Sequence, residues 1–254
     1  MAICGEAIVI AVSVKNLKKN FHLTHSGQIS LKQAVLSFRR RKPDIVEAVK
    51  GISFDIDQGE TVAVIGRNGS GKSALLGICG KVYRPTSGEV IVNGRISTLL
   101  DLGAGFHPDL TGIENIFLNG AILGMSRKDI NARMDTVVSF AELEDFIDAP
   151  IRTYSAGMTM RLGFSIAVQV DPNVLLVDEV LAVGDQSFQL KCYDKVRQFQ
   201  TAGKTIIFVS HDMEAVRKVA TRVIWMHYGV IRMDGDVNQV LEAYHKSSER
   251  TVEE

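Results

Sequence analysis

Apolar residues recur along this chain with two periods, and the changes of period mark out its elements. In "VKGISFDIDQGE" (49–60) apolar and polar positions alternate, the pattern of a half-buried strand. "TVAVIG" (61–66) is apolar almost throughout and predicts a short strand buried on both faces. "IVIAVSVKNL" (8–17) predicts an earlier strand, and "SGEVIVNGRISTLLDL" (87–102) carries strand pattern on both sides of an Asn93-Gly94 turn. From about residue 103 to 170 the spacing becomes helical. "TGIENIFLNGAILGM" is amphipathic, and "SRKDINARMDTVVSFAEL" opens with Ser126 and Asp129 in capping-box spacing. After Pro172 two apolar runs return, "VLLVDEV" (174–180) and "TIIFVS" (205–210), with a helix between them; "RVIWMHYGVIRMDGD" predicts a closing hairpin. Upstream, "LKQAVLSFRRRK" (31–42) sets Leu31, Val35 and Phe38 at helical spacing and ends in four basic residues before Pro43.

Buried apolar strands that alternate with helices indicate an α/β core with a parallel sheet, into which the helical stretch is inserted. The 254 residues suffice for one large domain or a domain with a subdomain, and 46% hydrophobic residues suffice for its core. Lys plus Arg equals Asp plus Glu at 29 each, so net charge points to neither nucleic acid nor an acidic substrate. Cys4, Cys79 and Cys192 are too few and too scattered for a disulfide framework or a zinc site, which reads as a reducing, cytoplasmic compartment. The opening "MAICGEAIVIAVSVKNL" has no basic n-region and carries Glu6, so it fits neither a signal peptide nor a membrane span. No other run reaches the roughly 18 apolar residues that spanning requires. Any service to a membrane is therefore expected from the water side.

Three stretches carry chemistry. "GRNGSGKS", Gly66 to Ser73, fits G-x-x-x-x-G-K-S and lies between a strand and the helical run "SALLGIC", the context this phosphate loop requires. Gly66, Gly69 and Gly71 let the backbone curl so that the amides of Gly66, Arg67, Asn68, Gly69, Ser70 and Gly71 face a phosphate. Lys72 brings a point charge to the β- and γ-phosphates, and Ser73 offers a hydroxyl to Mg²⁺. In "VLLVDE" four apolar residues drive a strand whose carboxyl end carries Asp178, a metal ligand directly or through water, and Glu179, placed to orient or deprotonate water. In "FVSHD" His211 ends another buried strand beside that pair, as a γ-phosphate sensor. "TYSAGMTMRLGFS" (153–165) sets Ser155, Ala156 and Gly157 at the mouth of a helix. On those residues alone Ser155 is either a simple helix cap or part of an anion site made of bare backbone amides.

The order phosphate loop, "YSAGM", "LLVDE", "SHD" resembles the ATPase subunit of ABC (ATP-binding cassette) transporters, over about residues 12 to 245. The resemblance implies a P-loop NTPase (RecA-like) α/β fold: a parallel-sheet core, an antiparallel β subdomain and an inserted helical signature subdomain. The expected division is one ATPase domain over 1–248, with core 1–102 and 166–248, helical subdomain 103–165 and a tail 249–254. It also implies ATP and Mg²⁺ as cofactors, and a second copy of the chain whose phosphate loop faces Ser155, Ala156 and Gly157. On that reading the tiny residues of "YSAGM" form an anion site used in trans. Glu179 takes the part of catalytic base, with His211 and Lys72 at the γ-phosphate and Ser73 and Asp178 at the metal. Phe21, in "NLKKNF", matches the aromatic that stacks on adenine; the alternative is a core Phe near a strand end. Asp185, in "AVGD", matches the loop that lies against the second copy.

Two departures stand out. The family signature is usually Leu-Ser-Gly-Gly-Gln, and here Ala156 replaces the first Gly and Met158 the Gln. The family also carries a Gln after the strand that follows the phosphate loop, where this chain has Asp101 and Leu102; Asp101 is the substitute candidate. "LLDLGAGFHPDLTGIENIFLNG", "YSAGMTMRLGFS" and "LLVDEVLAVGD" are similar to ATPases of polysaccharide exporters, which handle O-antigen, capsule or teichoic-acid chains. The resemblance implies a peripheral subunit on the cytoplasmic face of the inner membrane. Its partners are a polytopic membrane permease and a second ATPase copy, its cargo is a lipid-linked polysaccharide, and no nucleic acid is involved. The basic segment 31–42 reads either as a solvated surface helix or as a contact to anionic headgroups. Some relatives continue into a carbohydrate-binding domain, for which no room is expected after "VLEAYHKS". The alternative is a soluble ABC-type clamp on nucleic acid or ribosomes; such proteins carry two cassettes or a long coiled coil, which this sequence lacks.

Overall fold

The computed structural model describes residues 9–23, 44–100, 102–103, 105–178 and 184–249. The basic segment 31–42, Asp101, Glu179, Cys4 and residues 250–254 lie outside them.

Six strands form the central sheet in the order β5 (Ile96–Leu99), β6 (Val174–Asp178), β7 (Thr205–Val209), β3 (Thr61–Ile65), β8 (Arg222–His227), β9 (Val230–Gly235). The first five run parallel, and β9 returns antiparallel to β8 as the closing hairpin. The central strands β3, β6 and β7 are apolar at nearly every position because both faces are covered. On β3, Ala63 and Ile65 join Leu175, Val177, Ile206, Phe208, Val223 and Trp225 in one core. Val62 and Val64 point the other way and join Leu176, Ile207, Val209, Ile224 and Met226 in a second. Helix α5 (Gln186–Thr201) covers the first face with Phe188, Cys192, Val196 and Phe199, helped by α6 (Met213–Val219) and α7 (Val237–Glu249). The second face takes α1 (Lys72–Cys79) and a three-stranded antiparallel sheet, β2 (Asp44–Asp57), β1 (Ile10–Leu23) and β4 (Ser87–Val92). Burial pushes the thiols of Cys79 and Cys192 up to about 12, as expected of packing groups.

Around Asn93-Gly94 the flanking strands do not pair with each other: β4 pairs with β1, whereas β5 pairs with β6. The turn's own groups explain the split. Asn93 N and Nδ2 donate to Ala11 O and Ile10 O, both at 2.8 Å, while Arg95 N donates to Asn173 Oδ1 at 2.8 Å. Asn93 is tied to one sheet and Arg95 to the other.

Among the described residues between β5 and β6 the chain makes three α-helices, α2 (Gly112–Ile122), α3 (Arg127–Ala141) and α4 (Ala156–Ala167), and a short 3-10 turn at Ile151–Thr153. They share a separate core that includes Ile116, Ile130, Val137, Leu143, Leu162 and Ile166. Helix α3 starts with the expected capping box between Ser126 and Asp129, and Thr111 with Glu114 makes another at α2. Buried Asn115 fixes the loop into α2: its Nδ2 donates to the carbonyls of His107, Leu110 and Thr111, and its Oδ1 accepts from His107 N at 2.8 Å.

Candidate nucleotide site

The carboxyl ends of β6, β7 and β3 stand side by side in that order, so three motifs far apart in sequence come to one edge. β3 runs into the loop 66–71, β6 ends at Asp178 and β7 ends one residue before Ser210-His211. Asp178 is in register with Val209, and Val64 with the same residue from the other side. Two strand spacings, about 10 Å, therefore separate the acidic end from the phosphate loop, with His211 rising between them.

At Gly66 and Gly71 the loop is held with no spare room. Gly66 has φ 143°, and a Cβ there would lie 2.2 Å from Met226 O; Gly71 has φ 102°, and a Cβ would lie 2.3 Å from Ala48 O. Only glycine fits such contacts. The β8–β9 turn props the same loop: Gly229 N donates to Ser70 O at 3.0 Å, and Gly229 O accepts from Lys50 N at 2.8 Å. Lys72 is 5% exposed, and its Nζ donates to Gly66 O at 2.8 Å and to Arg67 O at 3.1 Å. Its ammonium thus sits inside the curl of the loop.

Three observations show that this cradle fits a phosphate. Helix α1 begins at Gly71 with no side chain capping its amides, which leaves a positive helix terminus directed at the loop. The buried Ser70 Oγ has no hydrogen-bond partner among the described residues. Arg67, Asn68, Gly69 and Ser73 are exposed around the rim.

His211 sits in a turn that caps α6. Asp212 accepts from Glu214 N and Ala215 N at 2.9 and 3.1 Å, and Ser210 Oγ accepts from Asp212 N at 3.0 Å. The His211 side chain is exposed above that turn. Asp185 caps α5, accepting from Phe188 N at 2.9 Å and from Ser187 Oγ at 2.7 Å. The Ser187 hydroxyl, then the Phe188 amide, hold its carboxyl below the usual range.

Phe21 is half-buried, its ring edge-on to Tyr83 with centroids 5.5 Å apart. Lys19 Nζ lies 4.8 Å from the Phe21 centroid and donates to Arg84 O at 2.8 Å. Tyr83 lies against α1, since a Cβ on Gly77 would meet its ring at 2.6 Å. Sequence reading named Phe21 and missed Tyr83 and Lys19. The nearness of Lys19 was visible as an i, i+2 neighbour on a strand; that of Tyr83 was not.

Ser155, Ala156 and Gly157 stand apart from this corner, at the start of α4. Ser155 is the N-cap and its Oγ accepts from Met158 N at 3.2 Å. As acceptor it caps the helix; its hydroxyl proton still needs an acceptor of its own. Ser155 and Ala156 are exposed, and a Cβ on Gly157 would meet nothing nearer than Ser155 Oγ at 3.8 Å. Cap and open anion site are therefore compatible descriptions of the same residues.

A phosphate loop at the carboxyl edge of a parallel sheet, joined there by an acidic strand end and a histidine, defines a P-loop nucleotide-binding ATPase. The family model of the ABC transporter matches residues 49–182. The chain is 44% identical to the O-antigen export system ATP-binding protein RfbB of Klebsiella pneumoniae, over 93% of this chain and 98% of that protein. It is 43% identical to the teichoic acids export ATP-binding protein TagH of Listeria monocytogenes, over 92% of this chain and 70% of that one. In fold it is similar to a dimeric ATP-binding cassette solved in a post-hydrolysis state with ADP and Pi, with TM-score 0.72, 24% identity, and coverage of 89% of this chain and 98% of that one. The chain belongs to the ABC transporter family, as a nucleotide-binding, ATP-hydrolysing subunit.

Proposed function

We propose that the chain is the ATPase engine of a polysaccharide exporter, acting as two copies on the cytoplasmic face of a membrane permease. The two-copy arrangement is supported above all by the contrast between a closed phosphate cradle and an open helix mouth carrying Ser155. The export systems named for its relatives support polysaccharide as cargo, with the lipid-linked chain carried by the permease. Among the described residues no helix is long and apolar enough to cross a membrane, which fits a subunit that needs such a partner.

In this reading the amides of residues 66–71 and the Lys72 ammonium bind the β- and γ-phosphates of ATP, and Phe21 carries the adenine. Ser73 and Asp178 would hold Mg²⁺, which supplies charge neutralisation on the phosphates. The Ser155 hydroxyl and the Ala156 and Gly157 amides of the second copy close over the γ-phosphate. Asp185 lies in the loop that faces that copy. Glu179 takes the proton of an in-line water as its oxygen bonds to the γ-phosphorus and the bond to the β-phosphate oxygen breaks. His211 orients the γ-phosphate. Most of the rate comes from donors preorganised around the developing charge.

The test is recovery of the tagged chain from detergent-solubilised native membranes, with identification of what accompanies it. A stoichiometric polytopic membrane protein is expected. Recovery from the soluble fraction with nucleic acid or ribosomes attached would replace this reading with a cytosolic clamp.

A further inference from the structure

Outside the nucleotide corner, one carboxylate joins three helices. Glu142 follows α3 as its C-cap, at φ 55° and ψ 51°, a left-handed conformation that residues with a Cβ generally avoid. Its two oxygens are divided between partners: one accepts from Arg161 Nη2 on α4, the other from Lys191 Nζ on α5. Arg161 is only 17% exposed, its guanidinium carbon lies 5.0 Å from the Phe188 ring centroid, and its buried Nε has no hydrogen-bond partner among the described residues. Among the described residues the arginine head is therefore held by one carboxylate and one aromatic face, with a donor left unsatisfied there. A group kept at that cost is constrained by geometry rather than by optimal hydrogen bonding.

The connected elements carry the outlying parts of the site. Arg161 lies six residues along α4 from Ser155. Phe188 and Lys191 lie in the first two turns of α5; the amide of Phe188 is capped by Asp185, and residues 179–183 lead there from Asp178. Glu142 thus links the helix that bears the open mouth to the helix that continues from the acidic strand end. Lys191, then Arg161, hold its carboxyl below the usual range, so it is charged throughout the physiological interval.

We propose that Glu142 is a positioning residue for ATP hydrolysis: by bridging Arg161 and Lys191 it sets the orientation of α4, and so of the Ser155 mouth, relative to the acidic edge of the sheet. The proposal rests on the reading of that mouth as the half-site presented to a second copy. It assigns Glu142 no contact with nucleotide and no part in binding by the cradle of its own chain.

The test uses the full chain and four variants, Glu142→Gln, Lys191→Met, the double variant and Glu142→Asp, with Gly157→Asp as control. Steady-state turnover, KM for ATP, affinity for a fluorescent ATP analogue and melting temperature are read for each. For Glu142→Gln, kcat is expected to fall about tenfold, with KM and analogue affinity within about twofold of the wild type. Glu142→Asp should recover part of the loss, and the double variant should be no slower than Glu142→Gln, since both changes remove the same link. Parallel loss of affinity and melting temperature, or additive losses in the double variant, would overturn the proposal. Should Glu142→Gln fail to fold, Lys191→Met, changed at an exposed end of the bridge, must still lower kcat without raising KM. Gly157→Asp separates the two layers. If it is inactive while Glu142→Gln is normal, only the positioning role fails; if Gly157→Asp is itself normal, the half-site reading fails.

Discussion

The phosphate loop and the mouth of α4 are both helix starts rich in small residues, yet they are built in opposite ways. At the loop, neighbouring backbone lies so close to Gly66 and Gly71 that no Cβ fits, and the ammonium of Lys72 is buried in the curl. At the mouth, Ser155 and Ala156 are exposed and Gly157 has free space around it. Gly66 and Gly71 answer to the protein's own backbone; a Cβ on Gly157 would have no neighbour nearer than Ser155 Oγ among the described residues. Small residues that the fold does not need leave room for something outside it. On the function proposed above, these are two half-sites that would form one whole site when two copies meet head to tail.

The largest expected effect falls on Lys72. Lys72→Ala should lower ATP turnover by about 10²–10³-fold, since it removes a preorganised charge at the transferring phosphoryl group; a phosphate-release assay reads the loss. Glycine substitutions then set the two regions against each other. Gly71→Ala should cost about 3 kcal/mol of stability in denaturant titration, because its Cβ would lie 2.3 Å from Ala48 O. Gly157→Ala should instead stabilise the helix by up to about 1 kcal/mol while lowering turnover. Equal behaviour of the two would erase the contrast. Ser155→Ala should cost about 1 kcal/mol as a lost cap, and turnover should fall further than that loss of stability explains.

The smallest effect is on acid stability. The carboxyls of Asp185, Asp129 and Glu114 are each held low by hydroxyl and amide donors at a helix start. A depressed folded-state value gives stability that is fully present above the unfolded value and is lost as pH falls through the folded one. Asp185→Asn should therefore flatten the dependence of melting temperature on pH below the ordinary value of 3.8 and leave it unchanged at neutral pH.

Sequence legibility followed the same division. The phosphate loop was readable because its spacing, its strand and its helix are contiguous, and the buried strands were readable because a two-sided sheet demands unbroken apolar runs. The Ser155 mouth was readable as a capped helix start, but its openness is a property of what surrounds it. Asn93-Gly94 carried a turn signal whose outcome, a change of sheet, depended on Ala11 and Asn173 far away in the chain. Glu142 was invisible for a like reason. Its partners lie 19 and 49 residues away, and a glutamate after an amphipathic helix gives no local sign of two cationic neighbours. Tyr83 likewise meets Phe21 only through the packing of α1 against the antiparallel sheet.

That the two half-sites belong to one site is tested most directly by mixing. Copies carrying Lys72→Ala, with a spoiled loop, and copies carrying Gly157→Asp, with a spoiled mouth, are each assayed for phosphate release alone and then together. If the mouth of one copy completes the loop of another, the mixed dimer holds one intact pair, and turnover should rise well above the sum of the separate variants. Turnover that stays at that sum across all mixing ratios, while the wild-type chain is active in the same assay, would contradict a site shared between copies.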